Sequence, residues 1–597
     1  MRFNGEAIFG AVDFTRGAPG AAERAEGMAC RAQKSNVATH LYPAGIAVLG
    51  RVVTLGGEPD PPLPQSNENV QAVSCGELID RQEAVSSYWV EPGRSAFLAR
   101  GLGVDGRSFL DRLDGTFAAA IWRRDTEQLW LICDRRADCR LFYRHDDNGI
   151  VFSSWLPLLE NRSLEIDRQA VAEFLRFLYI APPRTIYRGV SSVAPGYYVA
   201  GDRVAVKSER FSCQHGKVFA RQARGQSGDA LDDFQTLMEQ AVGRRLGSRR
   251  TGVFLSSGVD SATVMAACQK NNPGQVEAFT IGFDDVDLDE THAARSLARQ
   301  LGMPHHELRF TLDQYHEAFY RMADGFDQPF GDPAGLPLVL ASEAVGDRAE
   351  VITGGTGGDD LFGSPIPRHL WVGSQIAGRI PHGFRRRLVK LLGAPGMGDV
   401  FDFDDVQELF ITWRGWSRRE LCDLLGVSPN FEESGFYQTF REHRSSGPQA
   451  LYDALGVFPP DDCRFESAAL ARLPIELPYH DADLMVYVHR LPISLRMSKG
   501  DTKILLRRLF ARYFPEGRLP EKKRYFNIPL EALMARSNFS LVQDCLAPAR
   551  LNKHGLVDAG KASGWISRYI AGERSLRFKI WALIVLHAWL DARSAER

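Results

Sequence analysis

The segment Val253-Phe-Leu-Ser-Ser-Gly-Val-Asp-Ser261 decides the fold of the second half of the chain. It is typical of an apolar strand that passes through a turn of small residues into a helix. On both sides of it, predicted strands and helices alternate: strands at Gly252–Leu255, Glu277–Ile281 and Glu350–Thr353, and helices at Ser261–Lys270 and Glu290–Leu301. That order predicts a doubly wound α/β unit around a parallel sheet.

The turn after this strand carries groups that suit an anion. Backbone N–H groups and the dipole of the following helix are directed at one point. Ser256, Ser257 and Ser261 add hydroxyl donors, and Gly258 permits a close approach of backbone to phosphate. A carboxylate repels phosphate unless a cation lies between them, so Asp260 indicates Mg²⁺. The turn therefore predicts a nucleotide and a metal ion together.

A second turn of the same kind follows a later strand. Thr353-Gly-Gly-Thr-Gly-Gly-Asp-Asp360 contains four glycines, which we interpret as backbone that wraps a ligand. Asp359 would supply a second metal ligand. The carboxyl ends of parallel strands meet at one edge of a sheet, where such sheets bind ligands. Both turns are thus expected to line one site.

The first half of the chain has a different character. With 597 residues the chain exceeds a usual domain of roughly 100–200 residues, so two or more domains are expected. Residues 1 to about 210 show short strands, at Gly45–Gly50, Phe117–Trp122 and Leu129–Cys133, whereas 211–228 lack periodicity and suit a linker. Helical spacing begins at Leu231, and beyond about 365 the chain turns mostly helical, ending in an amphipathic segment, Leu576–Leu590.

Composition excludes several classes of function. A net charge of −2 gives no overall attraction for nucleic acid or for an anionic membrane surface. The nine cysteines are scattered, without the paired C-x-x-C units that zinc requires, and suit reduced thiols. The N-terminus lacks the features of a signal peptide, and the longest apolar stretch, Trp581–Leu590, is too short to span a membrane. We expect a cytoplasmic enzyme with no nucleic-acid or membrane partner.

The motifs together resemble those of asparagine synthetase B and its relatives, over nearly the whole chain. Ser256–Ser261 looks like the family's SGGxDS motif, with Ser257 at the first glycine. Pro478-Tyr-His-Asp481, followed by Lys503-Ile-Leu-Leu-Arg507, is similar to the PFLD…K-x-x-L-R stretch. The resemblance implies an α+β, Ntn-type glutamine amidotransferase-like domain at 1–215. It also implies an α/β ATP-pyrophosphatase domain, adenine nucleotide alpha hydrolase-like and with a parallel sheet, at 225–597.

The resemblance also implies roles for individual residues. In the family, adenine and ribose are held at the positions of Leu255, Ile281, Gly354 and Gly355, and the resemblance completes the ATP site with Ser256, Ser257, Gly258, Asp260 and Ser261. Lys503 would stabilise charge at the α-phosphate, and Asp260 and Asp359 would hold Mg²⁺. A substrate carboxylate would attack ATP to give an acyl-adenylate and pyrophosphate, and an amine would then give an amide and AMP. Glu290 and Glu466 are unranked candidates for the base.

The chain departs from glutamine-using members at the N-terminal domain. Those members carry cysteine directly after Met1, where this chain has Arg2. Ser74-Cys75-Gly76-Glu77 resembles the glutamine-binding N-G-E triplet with Cys75 in place of Asn, while Arg51 and Asp114-Gly115 are retained. We interpret this as a kept fold without amidase chemistry, so that the amine arrives with a substrate.

Two branches of the family fit such a reaction, β-lactam synthetases and lasso-peptide macrolactam synthetases. Thr356 replaces the glutamate that belongs to the base machinery of the first branch, and Glu476 replaces an arginine. The segment from about 365 to 460 is rich in residues suited to gripping a peptide: Trp371, Arg385–Arg387, Trp413–Trp416 and Arg418-Arg419. We therefore favour a lasso cyclase, which joins the N-terminal amine of a precursor peptide to an Asp or Glu side chain.

By resemblance, a lasso cyclase would work with a leader-binding protein and a leader protease. β-Lactam formation, ammonia-dependent asparagine formation and a non-catalytic scaffold remain the alternatives.

Overall fold

The computed structural model describes residues 6–33, 37–54, 69–81, 93–160, 164–211, 229–282, 290–362, 379–381, 383–384, 387, 415–443, 473–498, 501–517 and 530–596. Residues 212–228, which are all but the first residue of the predicted linker, fall outside these ranges, as do Arg2 and Glu466. The domain limits at 215 and 225 therefore stay a prediction.

The N-terminal part is built from strands with a few helices. Its elements are β1 (Glu6–Asp13), α1 (Gly17–Gln33), β2 (Val37–Ala44), β3 (Ala47–Thr54), β4 (Val70–Asp80), α2 (Arg94–Asp105), β5 (Leu113–Arg123), β6 (Gln128–Cys133), β7 (Phe142–Asp146), β8 (Gly149–Ser153), α3 (Arg168–Phe177), β9 (Ser191–Ser192), β10 (Tyr197–Gly201) and β11 (Val206–Arg210).

Two antiparallel sheets face each other in this part. One has the strand order β2-β3-β1-β8-β7-β9 and the other the order β11-β10-β6-β5-β4. Successive side chains point to opposite faces, so in β5 Ala118 and Ala120 lie in the apolar cluster between the sheets, whereas Ala119 and Ile121 pack toward α2. Both faces of this strand are buried, which is why it reads as an unbroken apolar run. The β-rich first half is confirmed.

The synthetase part begins with alternating helices and strands. Its elements are α4 (Asp229–Leu246), β12 (Thr251–Phe254), α5 (Val259–Asn271), β13 (Val276–Gly282), α6 (Thr291–Gln300), β14 (His305–Arg309), α7 (Leu312–Gly325), α8 (Gly335–Val345), β15 (Val351–Gly354) and α9 (Gly358–Phe362). The strands form a parallel sheet in the order β14-β13-β12-β15. The predicted parallel sheet is confirmed, and β12, the strand of the opening motif, lies between β13 and β15.

Apolar side chains cover both faces of this sheet. On one face Val253 of β12 belongs to a cluster with α4, α5 and the later helices, whose members include Phe234 and Leu505. On the other face Ile352 of β15 packs with Leu473 and Ile475. A strand buried on both faces needs apolar residues throughout, and here helices cover one face while residues 473–477 contribute to the second cluster.

Helices dominate the rest of the described chain. They are α10 (Arg418–Leu425), α11 (Gly435–His443), α12 (Ala482–Arg490), α13 (Ile493–Arg496), α14 (Ile504–Tyr513), α15 (Leu530–Cys545), which is kinked at 536–539, α16 (Pro548–His554), α17 (Ala559–Ile570) and α18 (Arg577–Glu596), with a short hairpin of β16 (Met497–Ser498) and β17 (Asp501–Thr502). Among the described helices, none has both the length and the apolar character required to cross a membrane.

Helix α18 differs from its predicted form. The segment Leu576–Leu590 was expected to be amphipathic, yet every residue from Ile580 to Leu590 is at most 5% exposed. The helix packs against α3, α7 and α15 to α17, so it is enclosed rather than laid on a surface. A helix that is apolar all round is a buried helix, which corrects the amphipathic interpretation.

Candidate functional site

The first turn is held in shape by its own hydroxyl groups. The Ser256 N–H donates to Ser261 Oγ at 3.0 Å, and the Gly258 N–H donates to Ser256 Oγ at 3.1 Å. The two hydroxyl oxygens lie 2.9 Å apart. Helix α5 then begins at Val259 without a side-chain cap on its first N–H groups. The serines therefore fix the turn, and the helix N-terminus is left without a side-chain cap, an arrangement that suits an anion.

The glycines of the second turn allow it to pack directly against the first turn. A Cβ atom added at Gly355 would lie 2.5 Å from the backbone nitrogen of Ser261, and one at Gly358 would overlap the Asp260 carboxylate. Gly357 has φ +89°, a region that favours glycine. We expected these glycines to wrap a ligand, but the structure shows that they let the two turns touch each other. Gly354 is different, with its nearest neighbour at 3.5 Å.

Lys503 joins the two turns. Its ammonium donates to Asp260 Oδ1 at 2.6 Å and Oδ2 at 2.5 Å, and it lies 2.7 Å from Asp359 Oδ1. The lysine is 4% exposed and precedes α14 with a left-handed φ of +58°. The Asp359 side chain keeps 49% of its exposure. The structure thus brings together three residues predicted for the site from segments far apart in the chain.

The two carboxylates suit a divalent cation. Both carboxylates contact the Lys503 ammonium, so their oxygens lie near one another. Such hard oxygen donors are the ligands that Mg²⁺ prefers. Within the described ranges, no group of three or more His, Cys, Asp or Glu side chains is arranged to hold a metal. Asp260 and Asp359 would therefore share a metal ion with phosphate oxygens of a nucleotide.

The residues predicted to hold adenine and ribose lie at the same edge of the sheet. Phe254 is paired with Phe279 on one side and with Gly354 on the other. The Leu255 N–H donates to the Phe279 carbonyl at 2.8 Å, and the Leu255 side chain is 3% exposed. Ile281 is half-buried near the end of β13. The ends of β12, β13 and β15 therefore meet here, with Gly355 directly after β15.

Glu290 contacts the first turn, Ser256–Ser261. Its carboxylate, at the start of α6, accepts the Ser257 N–H at 3.0 Å. The sequence offered Glu290 only as one of two unranked candidates for a general base. In this contact the Glu290 carboxylate is itself the anion that accepts a backbone N–H of the first turn.

Tyr479 supports the site and was missed in the sequence. Its hydroxyl donates to the Asp260 carbonyl at 3.1 Å, and burial raises the pKa of Tyr479 well above its ordinary value. Its neighbour Asp481 caps α12 and pairs with Arg244 at 2.6 Å. The position of Tyr479 in Pro478-Tyr-His-Asp481 was the available signal.

Asp114, which the resemblance assigned to a glutamine pocket, takes part in a contact between the two parts of the chain. Asp114 accepts the Ala482 N–H at 2.9 Å and lies 3.4 Å from Arg245. Arg245 also pairs with Glu476 at 3.1 Å, and burial raises the pKa of Glu476 to about 8. Glu476, which replaces the family's arginine, thus meets an arginine from α4.

The segment expected to grip a peptide is described only in part. Trp416 is fully buried, donates its indole N–H to the Lys579 carbonyl at 3.3 Å and packs edge-on against Trp565. Arg418 lies over the ring of Phe431 at 4.6 Å. Trp416 thus belongs to the helix packing, which corrects its assignment to a peptide surface, whereas Arg418 is partly exposed and its assignment stays a prediction. Trp371 and Trp413 lie outside the described residues.

Comparison with known families defines this chain as an ATP-dependent amide-forming enzyme. More particularly, the chain belongs to the asparagine synthase family, whose model, described as asparagine synthase, matches residues 233–591. A glutamine amidotransferase domain model matches residues 97–212. The chain therefore combines an Ntn-type amidotransferase fold with a synthetase domain that contains a parallel sheet, and its family uses ATP.

Several known proteins are similar over much of their length. A Mycobacterium tuberculosis protein, named as a glutamine-hydrolyzing asparagine synthetase, is 23% identical, with 81% of this chain and 77% of that protein covered. The glutamine-hydrolyzing asparagine synthetase 1 of Bacillus subtilis is 21% identical, with coverage of 81% and 79%. The glutamine phosphoribosylpyrophosphate amidotransferase structure from B. subtilis is 10% identical, covers 52% of this chain and 91% of its own, and has a TM-score of 0.25, too low to carry an argument.

Proposed function

We propose that this enzyme activates a carboxylate as an acyl-adenylate and closes a macrolactam in a ribosomal peptide. The observation that carries the adenylation step is the position of Lys503 between Asp260 and Asp359, at the edge where both turns end. A cation at that point is what developing charge on an α-phosphate and a departing pyrophosphate requires.

The residues of the site would have separate roles in binding ATP and in stabilising charge. The uncapped N-terminus of α5 and the N–H groups of the first turn would bind the phosphates, while the ends of β12 and β15 would hold the nucleoside. The Lys503 ammonium would stay with the reacting phosphate as its charge grows. Mg²⁺ bound by Asp260 and Asp359 would offset the charge of the phosphates when present. The substrate carboxylate would attack the α-phosphorus, pyrophosphate would leave, and the amine would then displace AMP.

The N-terminal domain supports a reaction in which the substrate carries the amine. Cys75 stands where the resemblance places the asparagine of a glutamine-binding triplet, and Asp114 is engaged by Arg245 and the Ala482 N–H. A substrate that carries its own amine needs no amidase. Holding both groups in one peptide also converts a bimolecular aminolysis into a positioned unimolecular step.

Within that class we favour a lasso cyclase, which joins the N-terminal amine of a precursor peptide to an Asp or Glu side chain. Thr356, in place of the glutamate of β-lactam synthetases, supports this choice over that branch. The proposed setting is the cytoplasm, with a leader-binding protein and a leader protease as partners and without nucleic acid or membrane.

Ammonia-dependent asparagine formation is the second candidate. It is favoured by relatives named as asparagine synthetases, which match about four-fifths of this chain. Free aspartate and ammonium would then replace the peptide.

One experiment separates the two candidates. The protein is incubated with Mg-ATP and either a precursor peptide or aspartate with ammonium, and nucleotides and products are quantified by chromatography and mass spectrometry. A peptide product lighter by one water, with AMP and pyrophosphate, supports the cyclase. Asparagine with AMP supports the second candidate, and release of ADP with either substrate contradicts both. Lys503→Gln is the inactive control.

A further inference from the structure

Two cysteine sulfurs lie close together inside the N-terminal domain. Cys75 Sγ on β4 is 3.7 Å from Cys139 Sγ, which follows β6, and 3.4 Å from Ser154 Oγ. Cys75 is 1% exposed, whereas Cys139 is partly exposed. The Cys133 thiol donates to the Cys139 carbonyl at 3.0 Å. The sulfurs are thus held as neighbours by a strand and by a loop.

The loop that carries Cys139, residues 134–140, also contacts the synthetase domain. The Asp138 carboxylate lies 2.8 Å from His480 Nδ1. Arg136 donates to Asp360 at 3.1 Å, one residue beyond Asp359. A chemical modification of Cys139 would therefore alter a loop that contacts the second turn, Thr353–Asp360.

We propose that Cys75 and Cys139 are a peroxide-sensitive site that forms a reversible disulfide. Hydrogen peroxide is the oxidant. The Cys75 thiolate attacks one peroxide oxygen, the O–O bond breaks, and the departing hydroxide takes up a proton to become water. Cys139 sulfur then attacks the resulting Cys75 sulfenic acid, loses its proton and expels a second water. Two thiols and one peroxide thus give one disulfide and two waters.

The surroundings of Cys75 favour the thiolate. The hydrogen bond between the two sulfurs lowers the pKa of the Cys75 thiol and raises the pKa of the Cys139 thiol, and Ser154, Arg51 and Arg94 also lower the pKa of Cys75. The thiolate is the nucleophile in both peroxide attack and thiol exchange. By contrast, burial raises the pKa of the Cys268 thiol well above its ordinary value.

Disulfide formation would move the loop rather than the strand. The sulfurs must approach from 3.7 Å to about 2.05 Å. Cys75 is fixed by its pairing with Ala118 in the middle of β4. The loop is the side that can adjust, because Cys139 lies on it and is partly exposed.

The test is a thiol map of the whole protein. Reduced protein is treated with hydrogen peroxide, alkylated under denaturing conditions, digested and analysed by mass spectrometry. A Cys30→Ser/Cys422→Ser background removes two exposed thiols. The expected result is a peptide linked through Cys75 and Cys139, lighter by two hydrogens and reopened by dithiothreitol. Cys139→Ser should abolish the link, and the matched change Cys268→Ser should leave it intact.

Wild-type protein is mapped in parallel, so the result does not depend on how well a variant folds. Recovery of Cys75 and Cys139 as alkylated thiols, at a peroxide dose that oxidises Cys30, would overturn the proposal. A link from Cys75 to another cysteine would do the same. The map needs no turnover, so its outcome is independent of the proposed peptide cyclisation.

Discussion

The ammonium of Lys503 lies 2.6 Å and 2.5 Å from the two carboxylate oxygens of Asp260. Both side chains are largely buried. A buried charge without a partner destabilises a protein, and here each charge is the partner of the other. One comes from the helix after β12 and the other from the residue before α14. The fold therefore holds in place the ammonium to which we assign a role in the proposed adenylation.

Replacing this lysine should remove adenylation. Lys503→Gln is expected to lower the rate of ATP–pyrophosphate exchange by about 100- to 1,000-fold, because the donor to the developing charge is lost. Lys270→Ala is the matched control, since its ammonium is paired with Glu239 but half-exposed on α5. Equal rates in Lys503→Gln and the wild type would show that the lysine has no part in the chemistry.

The exposed carboxylate should control the metal requirement. Asp359→Asn is expected to raise the Mg²⁺ concentration for half-maximal exchange by at least about tenfold, since it removes one charged ligand. Its half-exposed position predicts little change in folding stability. The measurement is a Mg²⁺ titration of exchange, with Asp232→Asn, an exposed partner of Arg512, as the control. An unchanged titration would remove Asp359 from the metal site.

Two adjacent glycines should respond differently to alanine. In Gly355→Ala the new Cβ meets the Ser261 backbone at 2.5 Å, so the free energy of unfolding should fall by about 1–3 kcal/mol. In Gly354→Ala the nearest atom is at 3.5 Å, an ordinary contact, and a much smaller change is expected. Urea unfolding of both variants checks this. Equal losses would mean that the turns do not touch as described.

A buried histidine should make stability depend on pH. His587 is fully buried, its ring nitrogens have no hydrogen-bond partner among the described residues, and burial lowers its pKa to about 4. His554 and Asp591 are the titratable groups that face it. Because the unfolded chain binds a proton near pH 6.5 and the folded one near pH 4, stability contributed by neutral His587 is lost as pH falls through that window.

The corresponding variant is His587→Leu. Between pH 7.5 and pH 5, removal of the titrating ring should eliminate about 2 kcal/mol of the acid-side loss. Urea unfolding at pH 7.5 and pH 5 provides the comparison. If wild type and variant lose the same amount of stability between these pH values, His587 is not the group responsible.

The ion pair between the two parts of the chain offers a further test. Arg245→Met should destabilise the protein by about 3–5 kcal/mol, because buried Asp114 loses its ion partner and Glu476 and the His480 carbonyl lose a hydrogen-bond donor. Adding Glu476→Gln should restore part of the loss, since a buried acidic group without its partner is removed. Denaturant unfolding of both single variants and the double variant measures the coupling. Strict additivity would contradict the described pair.

Sequence reasoning located the elements that local patterns encode. The strand-turn-helix at Ser256–Ser261 and the strand before Gly354 have unmistakable periodicity, and parallel pairing places their ends at one edge. Lys503 is different, because no local pattern marks a lysine that folds back onto a distant aspartate. It required the resemblance to a family.

The errors arose where burial depends on tertiary neighbours. Trp416 occurs among arginines and was expected at a surface, but its partners Trp565 and Lys579 are distant in sequence. Helix α18 was expected to have a polar face, although the nearly unbroken apolar run Ile580–Leu590 is typical of an enclosed helix. Arg245 could not be matched to Glu476 without the fold.

Gly355 and Gly358 pack directly against the first turn, and this contact limits which sequence changes evolution or design can introduce there. A side chain cannot be introduced at either glycine unless the backbone at Ser261 or the side chain of Asp260 gives way. The two turns are consequently exchangeable between relatives only as a matched set, and a chimaera that takes one turn from a homologue should be built with both.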